Sequence, residues 1–224
     1  MMNAHRKRFL WALTILAGFL FAFPAIGADE TAPVPKPVVK VDDSWRYRVS
    51  MHDSNVPTII FINSRVSFVA PDAIVAVETG SDGRESDSQF DSEWGISSIG
   101  YLGLVFDPPM KFQKYPLQVG TESPYVYGLA AVRGSPARTK AEGTVKVVGW
   151  EDVAVPAGKF RALKIEATGS FQRLDISARG WQRFTLWYVP EVKRFAKSVV
   201  ESSTRASNQL DLIRTTELVE FKVQ

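Results

Sequence analysis

Leu163-Lys164-Ile165-Glu166-Ala167-Thr168 changes from apolar to polar at every step. Side chains of an extended strand point alternately to opposite faces, so Leu163, Ile165 and Ala167 share one face and Lys164, Glu166 and Thr168 the other. This is the pattern of a half-buried strand. Just upstream, Val155-Pro156-Ala157-Gly158 fits a type I turn, with proline presetting φ at its second position and glycine at its fourth. The same period recurs on both sides. Trp45, Tyr47, Val49 and Met51 share a face, with Arg46, Arg48 and Ser50 behind them. Stretches 58–70 and 73–79 are rich in Ile, Val and Phe, and Gly80-Ser81-Asp82-Gly83 makes a hairpin loop into 84–94. Further strands are expected over 125–132, 137–150, 181–189, 192–203 and 212–223, while Asp107-Pro108-Pro109 is expected to stop any element. No amphipathic helix and no internal repeat interrupts the series. The expected fold is all-β: a single antiparallel β domain of about ten strands, either a half-open barrel or a sandwich.

The domain is expected to occupy residues 41–224. Residues 1–27 read as a cleaved signal peptide: Arg6, Lys7 and Arg8 precede a 16-residue apolar run, Phe9–Pro24, and small residues stand before Ala28. That run is shorter than the ~20 residues of a spanning helix, so no stable membrane span is expected after cleavage. The expected location is the periplasm of a Gram-negative cell. Residues 28–40, with Pro33, Pro35 and Pro37, read as a Pro-rich disordered tether holding too few apolar groups to pack.

Three of the 27 basic residues and none of the 24 acidic ones lie in residues 1–27, so the remainder is balanced at 24 of each. The pI of 9.1 therefore does not argue for nucleic acid, and none is expected as a partner. Charge is unevenly placed: residues 41–130 hold six basic and twelve acidic side chains, and residues 131–200 hold thirteen and six. The absence of cysteine excludes disulfides, a thiol nucleophile, thiolate metal sites and an acceptor for N-terminal lipidation.

Catalytic constellations are poorly represented. His52, beside Asp53, is the single histidine after residue 27, and Gly95-Ile96-Ser97-Ser98-Ile99-Gly100 lacks the spacing of a nucleophile elbow. No cofactor, no metal and no catalytic residue is expected. The acidic run Glu78, Asp82, Glu85, Asp87, Asp91 and Glu93 reads as a solvated hairpin, since its spacing is not that of a calcium loop. A carboxylate-dependent hydrolase of an envelope component is the alternative activity, and paired carboxylates are what it would need.

Aromatic side chains carry the main functional expectation. Trp45, Tyr47, Trp94, Trp150, Trp181, Trp187 and Tyr188 could wall an apolar groove in a curved sheet, with Arg183, Lys193 and Arg194 at its rim. The expected partner is then a lipid or another hydrophobic ligand, an anionic group, or an envelope protein. The reading is of a non-enzymatic protein.

Three motifs in the second half add a resemblance. Lys114-Tyr115-Pro116-Leu117-Gln118-Val119-Gly120 carries PL-x-VG, residues 155–162 carry VPAG-x-F-x-A, and Trp187-Tyr188-Val189-Pro190-Glu191-Val192 carries WY-x-P-x-V. Together they resemble the TapB-like family of exported proteobacterial proteins of unknown function, over roughly residues 114–203. The resemblance implies a β-rich periplasmic protein and supplies no catalytic residues. It implies that Pro156 and Gly158 make a turn, that Phe160 and Trp187 fill a core and that Pro190 ends a strand. A more distant likeness to the half-open barrels of periplasmic lipoprotein carriers is one of fold, and fold does not assign function.

Overall fold

The computed structural model describes residues 30–53, 56–131, 138–176, 178–204 and 212–224. The expected signal peptide lies outside the described residues. Twelve strands follow in chain order: β1 (Ser44–Asp53), β2 (Val56–Val69), β3 (Ala73–Thr79), β4 (Glu85–Asp91), β5 (Ile96–Ile99), β6 (Leu104–Met110), β7 (Glu122–Ala131), β8 (Arg138–Val155), β9 (Gly158–Arg173), β10 (Ala178–Val189), β11 (Arg194–Ser203) and β12 (Leu212–Lys222). Each pairs antiparallel with its chain neighbours, and β1 pairs with β12, so the sheet closes into a barrel.

Closure corrects the expectation of a half-open barrel or sandwich. The β1–β12 seam runs from Ser44 opposite Lys222 to Asp53 opposite Leu212, so the first and last strands are not free edges. The count rises to twelve because β5 and β6 occupy the stretch expected to be irregular. Pro108 and Pro109 lie within β6 but beyond its last rung to β7, Phe106 opposite Leu129, so their missing N–H groups remove no bond from that ladder.

Leu163, Ile165 and Ala167 are all fully buried, as their alternation requires. Bulges at Arg46/Tyr47, Val66/Phe68, Val147/Gly149 and Trp187/Tyr188 then change which residues face inward. Two apolar clusters result. One gathers Phe106, Phe112, Tyr125, Ile165, Phe184 and Tyr188 beneath β6–β11. The other joins Trp45, Val66, Ile74, Phe90 and Trp94 of the first four strands and their turns to Phe160, Ala162, Val192 and Leu218.

The expected tether differs as well. Within residues 28–40, Val34 is 8% exposed and exchanges backbone hydrogen bonds with Leu117 at 2.7 and 2.8 Å. One well-placed apolar residue with a free rung to pair against seats a segment that composition alone reads as unpacked. Asp43, fully buried, completes the attachment. Its carboxylate accepts from Lys40 N at 2.9 Å, Lys193 Nζ at 2.9 Å and Gln224 N at 2.8 Å, tying the entry of β1 to the exit of β12.

The outer face carries a charged row. A row of side chains crosses five strands through Arg48, Glu217, Lys197, Trp187 and Lys164, with Arg48–Glu217 at 2.6 Å and Lys197–Glu217 at 3.4 Å. Burial opposes the Glu217 charge, but the Arg48 hydrogen bond and Lys197 hold its carboxyl below the usual glutamate value. Among the described residues no helix is long and apolar enough to cross a membrane.

Candidate functional site

The site is built around Arg194, which follows the β10–β11 turn. In that turn Pro190–Val192 forms a 3₁₀ turn and Lys193 takes φ 60°. The bulge at Trp187/Tyr188 carries the Arg194 guanidinium among four rings, 4.4 Å from the centroid of Trp94, 5.0 Å from Trp45, 5.3 Å from Phe90 and 5.8 Å from Tyr47. Four electron-rich faces around one cation form an aromatic cage, the arrangement that binds alkylammonium ligands elsewhere. Here the chain supplies the cation itself, and Arg194 Nη1 also donates to Ser64 Oγ at 3.2 Å.

Each wall of the cage has a local cause. Trp45 is anchored by its indole N–H donating to Val192 O at 2.8 Å, and Tyr47 by its hydroxyl donating to Phe195 O at 3.0 Å. Trp94 sits at φ 66°, rare for a bulky residue. Asp91 holds that turn, its Oδ1 accepting from Glu93 N at 2.8 Å and Gly95 N at 2.7 Å, while Lys111 pairs with Asp91 and Glu93.

Glu78 faces the same interior at 7% exposure. It belongs to the run expected as a solvated hairpin; Asp82, Glu85 and Asp87 of that run are exposed, but the expectation is corrected for Glu78, because in β3 the inward positions are Ile74, Ala76 and Glu78. Burial raises its carboxyl above the usual value, against the opposing effects of the Ser88 and Ser64 hydroxyls and the Arg194 charge. Ser88 donates to Glu78 and accepts from Gly100 N at 3.0 Å. Gly100 opens the 3₁₀ turn Gly100–Leu102, and a Cβ there would lie 2.4 Å from Asp87 O, so only glycine allows the approach. Through this relay the buried carboxylate positions Tyr101.

Between these groups lies a cavity of about 170 Å³, walled by Val49, Ile62, Phe90, Ile96, Ile99 and Phe195, with Glu78, Arg194 and Arg214 supplying its charged groups and Tyr47, Tyr101, Ser198 and Thr216 its hydroxyls. Arg214 enters from β12 opposite Val200. Burial pushes the Tyr101 phenol up to about 12, with Glu78 adding to the rise and Arg214 and Arg194 opposing it. Tyr47 is likewise raised to about 12, chiefly by burial. Both therefore keep their O–H. A hollow of about 570 Å³ lies elsewhere, but Lys140, Glu142 and Arg179 on its wall are exposed charged groups of both signs.

The aromatic and basic residues singled out in the sequence divide into two sets. Trp45, Tyr47, Trp94 and Arg194 converge. Tyr188 is buried in the other apolar cluster, and Trp150 packs against that cluster. Trp187 donates its indole N–H to Glu151 and lies under Lys197 in the outer charged row. Arg183 is exposed, pairs with Glu201 at 3.4 Å and stands over Trp181. Lys193 is committed to Asp43 and to Gln224 O at 2.7 Å. The residues therefore do not share one groove: along β10 simple alternation sets Trp181, Arg183 and Trp187 on the face opposite Phe184, Leu186 and Tyr188. Glu78, Tyr101 and Arg214 were not anticipated. The one sequence signal for Glu78 was its place at the inward step of Ile74-Val75-Ala76-Val77-Glu78.

The motif positions fall at turns. Gly158 closes the β8–β9 turn at φ 140°, Gly120 takes φ 86° and Pro190 opens a 3₁₀ turn. No family model matches the chain, and no curated protein matches it. Among solved structures, a Bacteroides fragilis protein described as exported and as having a YmcC-like fold aligns at TM-score 0.54 and 17% identity, over 85% of this chain and all of that one. A Parabacteroides distasonis protein described as a lipoprotein aligns at TM-score 0.52 and 12% identity, over the same shares. At these identities the likeness is one of fold alone.

Proposed function

We propose that the chain is a non-enzymatic protein of the cell envelope that holds a small, mainly apolar ligand inside its barrel. The observation that carries the reading is the cavity of about 170 Å³ walled by Val49, Ile62, Phe90, Ile96, Ile99 and Phe195. That volume suits a body of about one aromatic ring. The envelope location is supported by the signal-like first 27 residues and by structural neighbours described as exported or as a lipoprotein.

Two measurements test the reading. Native mass spectrometry of protein purified from its own envelope should find a bound small molecule, and toluene should raise the melting temperature of the emptied protein. Ile99→Trp, which fills the cavity, should abolish both effects. Recovery of empty protein together with no thermal response to toluene refutes the proposal.

A further inference from the structure

The cavity is apolar on most of its wall, yet two guanidinium groups and one carboxylate face it. These three charges are not equivalent. Arg194 is already committed: four ring faces surround it and Ser64 accepts its hydrogen bond. Glu78 is likewise committed to Ser88 and Ser64. Arg214 differs, since no carboxylate among the described residues forms an ion pair with it and its electrostatic neighbours include the phenols of Tyr101 and Tyr127. A planar guanidinium beside an apolar cavity suits a planar carboxylate, which it meets through two parallel N–H···O bonds. Tyr101 also lines the cavity and supplies an O–H donor. Glu78, also on the lining, disfavours a second negative charge.

We propose that Arg214 and Tyr101 form the receptor for the carboxylate of a small monocarboxylic acid, whose single-ring or similarly sized apolar body fills the cavity. This deepens the preceding reading and rests on it. Arg194 is the internal cation that shapes the aromatic wall, and Arg214 reads the charge of the ligand.

The probes are benzoate and benzyl alcohol, matched in size and different in charge, titrated by calorimetry into the emptied protein. Benzoate should bind about tenfold or more tightly than benzyl alcohol, the worth of one charge-assisted hydrogen bond. Arg214→Gln should remove that preference while leaving benzyl alcohol affinity within about twofold, Arg214→Lys should retain part of it, and Tyr101→Phe should weaken benzoate alone. Lys140→Gln, on the outer wall, should change neither. If Arg214→Gln does not fold, the wild-type preference and Tyr101→Phe decide the matter. Equal binding of the two probes overturns the carboxylate receptor and leaves the apolar cavity standing. Binding of neither overturns the receptor together with the cavity reading.

Discussion

Replacing Arg194 with methionine removes the cation from its cage while keeping a long apolar side chain in the space. Cation–π contacts run from ~0.5 kcal/mol when exposed to ~2 kcal/mol when desolvated. The four rings at 4.4–5.8 Å share one cation, so their sum saturates, and ~2 kcal/mol is a fair group value. Loss of the hydrogen bond to Ser64, a bond from a charged donor, adds ~1.5 kcal/mol, partly offset by methionine packing on the rings. The expected loss is about 3 kcal/mol at pH 8. It should depend on pH through Glu78. That carboxyl is raised in the folded state, so its contribution is fully present below the unfolded value and is lost as pH rises through the folded one. Arg194 opposes the rise, so its removal lifts the folded value further and widens the pH range over which stability is lost. Urea unfolding followed by tryptophan fluorescence should therefore show a larger deficit at pH 8 than at pH 5, with an unchanged slope. A deficit below about 1 kcal/mol at pH 8, or an equal one at both pH values, refutes the assignment of Arg194 as a cation required by both the cage and Glu78.

Gly169→Ala should lower stability by about 2–3 kcal/mol in calorimetric melting, because the new Cβ would stand 2.1 Å from Glu142 O and 2.4 Å from the Tyr125 hydroxyl. Asp43→Ala should cost about 3–5 kcal/mol in urea unfolding, since it leaves two backbone N–H groups without their acceptor and takes from Lys193 its carboxylate partner, leaving it Gln224 O alone; Asp43→Asn should cost less. Glu217 is held below its usual value, so its contribution is present at neutral pH and disappears as pH falls through the folded value. Glu217→Gln should consequently flatten the acid side of the melting-temperature profile, and an unchanged profile would show that the outer charged row is inert.

The strands themselves were legible because a half-buried strand must alternate, and residues 45–51 and 163–168 do so without exception. The hairpin loop at 80–83 and the turn at 155–158 were legible because glycine and proline restrict the backbone locally. Legibility failed at β5 and β6, where prolines occur inside a strand but beyond the rungs they would have removed. It failed again at Val34, whose burial depends on Leu117, a partner far along the chain.

For the candidate site the division follows the same line. That tryptophans, tyrosines and arginines were the side chains to follow could be taken from composition, and Trp45, Tyr47, Trp94 and Arg194 do meet. That Arg183 and Lys193 point elsewhere, and that Glu78, Tyr101 and Arg214 belong to the same cavity, could not. Each bulge shifts the two-residue period by one, and the period is all that local sequence reports about which way a side chain faces. By itself the sequence determined a chain of antiparallel strands with its turns. The tertiary structure alone decided that the first strand meets the last, and so that Arg214 of β12 lines one small cavity together with Tyr101 and Glu78. Barrel closure is a pairing between residues some 170 positions apart, such as Arg48 with Glu217, and no local preference encodes it.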